Sequence, residues 1–258
     1  MPRFAASSYG GGVEPRFVDI HSHVVPSGDD GVQSVGEGLA LGRDAFEHGT
    51  RVLYATPHVG PHVPPFDEGR ERRIRTAYRE LRERVPLELR LGFELTPMPS
   101  LLDDDPWRFV LEGTEYVLVE IPFVGSADLF VEVGEWVERA GLTPIVAHPE
   151  RTEAVLTNPG LADDLAERGW PLQVNATSLL GYHSPDMERE GWRLIDDGLV
   201  SFVASDGHRA TRPMLLDGAY ELTRARVGEE RAMRLFDGSA LTLTAGKTAG
   251  TVPQGLSR

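Results

Sequence analysis

Short apolar runs alternate along the chain with segments whose apolar residues recur every three or four positions. The runs at 17–20, 51–55, 87–93, 116–121, 143–147, 171–175 and 200–204 are rich in Val, Ile, Leu and aromatic residues, and most are continuous rather than alternating. Continuous apolar strands are those covered on both faces, as in parallel sheets. Between them the spacing predicts helices over 34–49, 67–85, 126–140, 158–168, 185–197, 212–227 and 229–236. Ser34 with Glu37 three residues on forms a capping box, and Gly49 stops that helix. Strand–helix alternation repeated about seven times predicts a (β/α) barrel, with an open doubly wound sheet as the alternative. No GxGxxG or Walker-type loop supports a nucleotide site.

Composition narrows this reading. The 258 residues, 40% hydrophobic and 26% charged, suit one large globular domain. The expected division is a flexible leader over 1–15, a catalytic domain over 16–245 and a tail over 246–258. No apolar run approaches the ~20 residues that span a bilayer, and "MPRFAASSYGGGVEP" lacks the apolar centre of a signal peptide. A cytoplasmic protein without membrane insertion is expected. The net charge of −14 argues against a nucleic-acid partner. Lys247 is the only lysine, which disfavours Schiff-base chemistry, and the absence of cysteine removes disulfides, thiolate metal sites and any Cys nucleophile.

The ends of the predicted strands carry the chemistry. The first strand leads into His21 and His23, the second into His58 and the fifth into His148. The third ends in Glu94, the fourth in Glu120, the sixth in Asn175, and the seventh leads to Asp206 and His208. In a parallel barrel the C-terminal strand ends share one mouth, so these side chains converge. A lone His at a strand end is usually a hydrogen-bonded structural residue, and Asp29-Asp30-Gly31 alone reads as a turn. Six of seven strands ending in a metal-ligating side chain is a different matter. Imidazole with carboxylate suits divalent Mn, Fe, Co or Zn. In His21-Ser22-His23, extended backbone puts both imidazoles on one side. A carboxylate such as Glu94 can bridge two ions, so a cluster of two or three is expected. Closely spaced ions can clamp a phosphate, supply hydroxide and stabilise a departing oxygen. His48, His62 and His183 are expected to be solvated or peripheral.

The motifs "DIHSH", "ATPH", "GFE", "VEIP", "AHPER" and "SDGH" occur in the order of the polymerase and histidinol phosphatase (PHP) superfamily, which the chain resembles over roughly residues 17–240. "HSHVVPSGDDG", "AHPER" and "SDGHR" with the downstream "RP" resemble its CpsB/YwqE-like branch, manganese-dependent bacterial protein-tyrosine phosphatases of capsule and exopolysaccharide systems. The resemblance implies a distorted TIM-like (β/α)7 barrel with a trinuclear site. One ion would take His21, His23, Glu94 and Asp206. A second would share Glu94 and add Glu120 and His148. The third would take Asp30, His58 and His208. Arg151 would grip the substrate phosphate, with Asp19 orienting a ligand imidazole and Asn175 bracing the site. Arg151, Asp206 and His208 are the residues expected to act directly on the substrate. Arg209 and Arg212 are further candidate phosphate contacts, and the competing role for Arg151 is an ion pair with Glu150 or Glu153.

The implied activity is hydrolysis of a phosphate monoester, phosphotyrosine on a protein, with the tail of a bacterial tyrosine autokinase as partner. The absence of Cys rules out a phosphocysteine route. A small-molecule phosphatase of the histidinol-phosphatase kind is the rival enzyme, and a nuclease is disfavoured by the acidity. A non-catalytic metal-binding regulator is the rival of another class. Oligomeric state is left open.

Overall fold

The computed structural model describes residues 16–209 and 212–242, so the expected leader over 1–15 and tail over 246–258 lie outside the described residues. Within them the chain alternates strands and helices: β1 (Phe17–Asp19), α1 (Val35–Glu47), β2 (Thr50–Ala55), β3 (His58–Val59), α2 (Glu68–Arg82), β4 (Glu88–Leu91), β5 (Glu94–Leu95), β6 (Tyr116–Glu120), α3 (Asp128–Arg139), β7 (Thr143–Ala147), α4 (Glu153–Thr157), α5 (Gly160–Glu167), β8 (Leu172–Asn175), α6 (Ala176–Leu179), α7 (Pro185–Asp196), β9 (Val200–Ala204), α8 (Leu216–Val227) and α9 (Glu229–Phe236). All seven predicted strands are present and every strand pair is parallel. The Ser34 cap forms, its Oγ accepting from Glu37 N–H at 3.2 Å.

The predicted strand 51–55 ends at Ala55 as β2 does, the predicted strand 87–93 stops at Leu91 as β4, and each is followed by a further two-residue strand. Pro57 has no N–H to continue the ladder after β2, and the chain resumes as β3. Gly92 interrupts the next strand where a Cβ would stand 2.4 Å from Leu111, and the chain resumes as β5. The breaks divide the ladders into two sheets, β1-β2-β4 and β3-β5-β6-β7-β8-β9. The ladders therefore differ from the closed ring expected of a barrel. Among the described residues, β9 meets β1 through a single parallel bridge, Ser22 to Gly207. Beside it Asp206 N–H donates to His21 O at 3.0 Å and His23 N–H to Gly207 O at 2.7 Å. Regular pairing fails here because both strands have already given way to the loops that carry these histidines and aspartate.

The strands are buried on both faces, as their continuous apolar runs require. Leu53, Val117, Val119, Val146 and Val203 join the core under the helices. Their neighbours Tyr54, Leu118, Ile145, Ala147, Phe202 and Ala204 form a second cluster with Ile20 and Leu241. Alternation along the strands puts Glu120 on the side of Leu118, so the second cluster is capped, at the C-terminal strand ends, by ionisable groups.

Candidate metal centre

Parallel register brings the strand-end residues level. His58 pairs with Glu94, Glu94 with Leu118, and Glu120 with Ala147 beside His148. The described non-glycine residues with left-handed backbone are His148 and Asp206, at φ 32° and 50°. Such strain persists where the surroundings enforce it and concentrates at functional sites.

Among the described residues four groups of donor atoms result, each drawn together within 4.8 Å: His21, His23, Glu94 and Asp206; Glu94, Glu120 and His148; His23, His58 and His208; and His58, His62 and Glu120. In the first, His21 Nε2 and His23 Nε2 are 3.3 Å apart. They lie 3.0 and 3.1 Å from Glu94 Oε2, and each is 3.5 Å from Asp206 Oδ1. Ligands ~2.1 Å from a tetrahedral ion sit ~3.4 Å from one another, so these spacings are those of a coordination shell.

His21, His23, Asp206 and His208 are each aimed by a bond on the far side. His21 Nδ1–H donates to Gln173 Oε1 at 2.9 Å, and Gln173 Nε2–H to Asn175 Oδ1 at 2.8 Å. Asn175 Nδ2–H donates to Asp206 Oδ2 at 2.8 Å, as does Arg151 Nη1–H at 2.6 Å. This chain joins two candidate ligands. Because Gln173 spends its amide N–H on Asn175, its oxygen must accept, which leaves the His21 Nε2 lone pair free for a cation. His23 Nδ1–H donates to Asp29 Oδ2 at 3.4 Å, and His208 Nδ1–H to the Asp206 carbonyl at 2.8 Å.

The buried donors also fit cations electrostatically. Glu94 Oε2, Glu120 Oε2, His58 Nδ1 and His208 Nε2 are buried with no hydrogen-bond partner. Burial, followed by the neighbouring Glu94 charge, pushes the Glu120 carboxyl up to about 8. Glu94 itself is driven well below the usual carboxylate range, because its imidazole neighbours, His21 and His58 foremost, outweigh its burial. Two sealed carboxylates beside lone-pair nitrogens form a site that a cation between them relieves.

Several expectations need correction. Asp30 stands at the rim with its side chain 62% exposed, Oδ1 at 3.2 Å from His208 Nε2 and 3.8 Å from His58 Nε2, and Oδ2 on Arg212. Its neighbour Asp29 is the buried one. Its Oδ2 bonds His23 and accepts the His58 N–H at 3.1 Å, while its Oδ1 accepts the Gly31 N–H at 2.9 Å and closes the turn. Asp19 orients no imidazole; its Oδ1 accepts the backbone N–H groups of His21 and Ser205 at 3.3 and 3.0 Å, tying the end of β1 to the end of β9. Arg209 is not among the residues lining the mouth; its Nε–H donates to the Gly31 carbonyl at 2.7 Å. Arg212 lines the mouth. Arg151 pairs with neither expected glutamate: Glu150 is buried on Asn175 N–H and Ser178, and Glu153 accepts from Gly125 N–H.

His62 is exposed yet belongs to the mouth, within the same 4.8 Å reach of His58 and Glu120. His48 is peripheral, on Asp217 at 2.8 Å. His183 bonds Thr177 and lies close enough to Arg151 and Asp206 to feel their charges. Gln173, Asp29 and Phe123 also belong to the site, although the strand-end pattern does not point to them. Of the three, Asp29 alone carries a signal in the sequence, its place beside Asp30.

The mouth is a cavity of about 110 Å³ lined by Asp30, His58, His62, Glu120, Phe123, His148, Asp206 and Arg212. No helix among the described residues is long and apolar enough to cross a membrane.

Comparison with known proteins adds an independent line. Residues 17–243 match the family described as capsular polysaccharide synthesis, CpsB/CapC. The tyrosine-protein phosphatase YwqE of Bacillus subtilis (strain 168) is 29% identical over 231 residues, 88% of this chain and 91% of that one. The tyrosine-protein phosphatase CpsB of Streptococcus agalactiae serotype V is 28% identical over 231 residues, 85% and 94% of the two chains. Among solved structures, one from work on YwqE of Bacillus subtilis and CpsB of Streptococcus pneumoniae, "unique metal-dependent tyrosine phosphatases", superposes with a TM-score of 0.76. Its identity is 29%, covering 84% of this chain and 90% of that one. The lactonase Lmo2620 of Listeria monocytogenes, at 11% identity and a TM-score of 0.56 over 90% and 96% of the chains, shares the fold alone.

Proposed function

The chain belongs to the CpsB/CapC family of capsular polysaccharide synthesis, and from that premise we propose that it is a metal-dependent protein-tyrosine phosphatase. The observation that carries the reading is the shell of His21, His23, Glu94 and Asp206, whose donor atoms converge at ligand-to-ligand spacing with their other atoms already bonded. A regulator that turns nothing over needs no open mouth beside such a shell.

By this reading three divalent ions, manganese by resemblance, are held in a PHP-type distorted barrel. His21, His23, Glu94 and Asp206 hold the first; Glu94, Glu120 and His148 the second; His58 and His208, with Asp30 from the rim, the third. When bound, such ions neutralise phosphoryl charge and acidify water. The protein's own groups do the rest. Arg151 is anchored through Nη1 on Asp206, and its buried Nε–H lacks an acceptor, so it presents donors in the planar fork that fits phosphoryl oxygens. Arg212 spans Asp30 and Asp206 across the cavity and adds a second positive charge. Gln173 and Asn175 hold His21 and Asp206 still. A tyrosyl leaving group, pKa near ~10, needs less protonation than an alkoxide, which suits a site whose buried histidines are committed to the ions. A phosphotyrosine-bearing tyrosine autokinase of the cytoplasm is the proposed partner.

Metal content of the purified protein, with rates on phosphotyrosine, phosphoserine and histidinol phosphate, tests the reading. Phosphotyrosine should be turned over fastest, and only by metal-loaded protein. A preference for histidinol phosphate would make it a small-molecule phosphatase instead.

A further inference from the structure

The cavity at the mouth measures about 110 Å³. Its lining is almost entirely ionisable, which suits the phosphoryl group rather than the organic part of a phosphate monoester. The organic part is then placed at the rim. Of the described residues lining the cavity, seven are ionisable and one, Phe123, is a hydrocarbon. Phe123 is 44% exposed, and Val124 beside it is 78% exposed.

Phe123 is held rather than mobile. Its carbonyl accepts the Glu153 N–H at 3.0 Å, and the Glu153 carboxylate accepts the Gly125 N–H at 3.2 Å, so the start of α4 clamps the loop. The ring stacks on the His148 imidazole at 5.5 Å and 12°, and the Arg151 guanidinium lies 5.0 Å from its centroid. One apolar ring thus lies against a candidate metal ligand and the candidate phosphate clamp, on a residue that is nearly half exposed.

We propose that Phe123 is the specificity-determining residue of this site, its exposed ring forming the subsite for the aromatic ring of an aryl phosphate. The inference rests on the phosphatase reading above. An aryl ring bonded to the phosphorus-bearing oxygen meets Phe123 as it leaves the cavity, and aromatic pairs in offset or edge-to-face contact gain beyond their area burial. An alkyl monoester such as phosphoserine has no ring to offer, so the site discriminates by what lies beyond the phosphate.

The test measures kcat/KM of metal-loaded wild type, Phe123→Leu and Phe123→Tyr on phosphotyrosine and phosphoserine peptides of otherwise identical sequence, with metal content as a second readout. The aryl-to-alkyl ratio should fall about three- to tenfold in Phe123→Leu, through KM on the aryl substrate, and return in Phe123→Tyr. Metal content should match wild type in both. If Phe123 only seats Arg151 or His148, both substrates lose equally and the ratio holds, which overturns the inference. A ratio that falls alike in Leu and Tyr variants also overturns it. Should metal-loaded wild type fail on both peptides, the phosphatase reading itself fails, an outcome distinct from an unchanged ratio in an active enzyme.

Discussion

The floor of the mouth and its rim are built from the same residue types and behave differently. On the floor, His21, His23 and Glu94 have fully buried side chains, Asp206 is 3% exposed, and His21, His23 and Asp206 are each fixed by a partner behind them. At the rim, Asp30 is 62% exposed, with one side-chain contact to Arg212 and another to His208, and His62 reaches Thr96 only at 3.4 Å. The floor carries donor atoms that water cannot satisfy, so a cation is the group that completes it. The rim can be satisfied by water, and so is free to vary with the substrate.

That contrast can be broken most sharply at Glu94, which belongs to two of the four donor groups. Glu94→Gln keeps the shape and loses the charge between two clusters. It should lose at least one ion per chain and lower kcat by two orders of magnitude or more (about 3 kcal/mol), with circular dichroism unchanged. Wild-type metal content by mass spectrometry in this variant would show that the floor does not bind as described.

Arg151 lies on the border, its guanidinium anchored to Asp206 of the floor and its side chain 13% exposed. Arg151→Ala and Arg151→Lys should both keep full metal content and lose roughly a hundredfold in kcat/KM on a phosphotyrosine peptide. If either retains wild-type kcat/KM, the clamp is Arg212, the arginine among the residues lining the cavity.

Gln173 sharpens the comparison from behind, since it touches no donor position and acts only through His21 and Asn175. Gln173→Leu should weaken metal binding about 10- to 100-fold, as loss of such bracing partners does, and excess metal should restore turnover. Titration with a chelator reads the affinity directly. An unchanged affinity would mean that burial alone orients His21.

The same division governs what could be read from the chain. The floor was legible because a parallel sheet sends every C-terminal strand end to one face, so His21, His23, His58, Glu94, Glu120, His148, Asp206 and His208 could be assembled without knowing a single distance. The short strands β3 and β5 were not legible: each resumes after a two-residue gap, the first holding Pro57, which has no N–H, and the second Gly92, which Leu111 approaches closely. Nor were the braces. That Gln173 faces His21 depends on cross-sheet packing between residues 152 apart. Which of Asp29 and Asp30 turns inward depends on loop geometry, and Arg209, adjacent to His208 in sequence, is drawn to the Gly31 carbonyl instead. Phe123 carried no signal because an exposed Phe in a loop becomes meaningful only beside the cavity it borders.

The central claim, that the buried donor shell acts by holding divalent ions, is tested most directly by turnover of a phosphotyrosine peptide by protein stripped of metal, with removal verified by elemental analysis. The account predicts loss of activity on stripping and its return when a divalent ion such as Mn²⁺ is added back, while thiol reagents have no effect on a chain without cysteine. Full activity in the verified metal-free protein would contradict it.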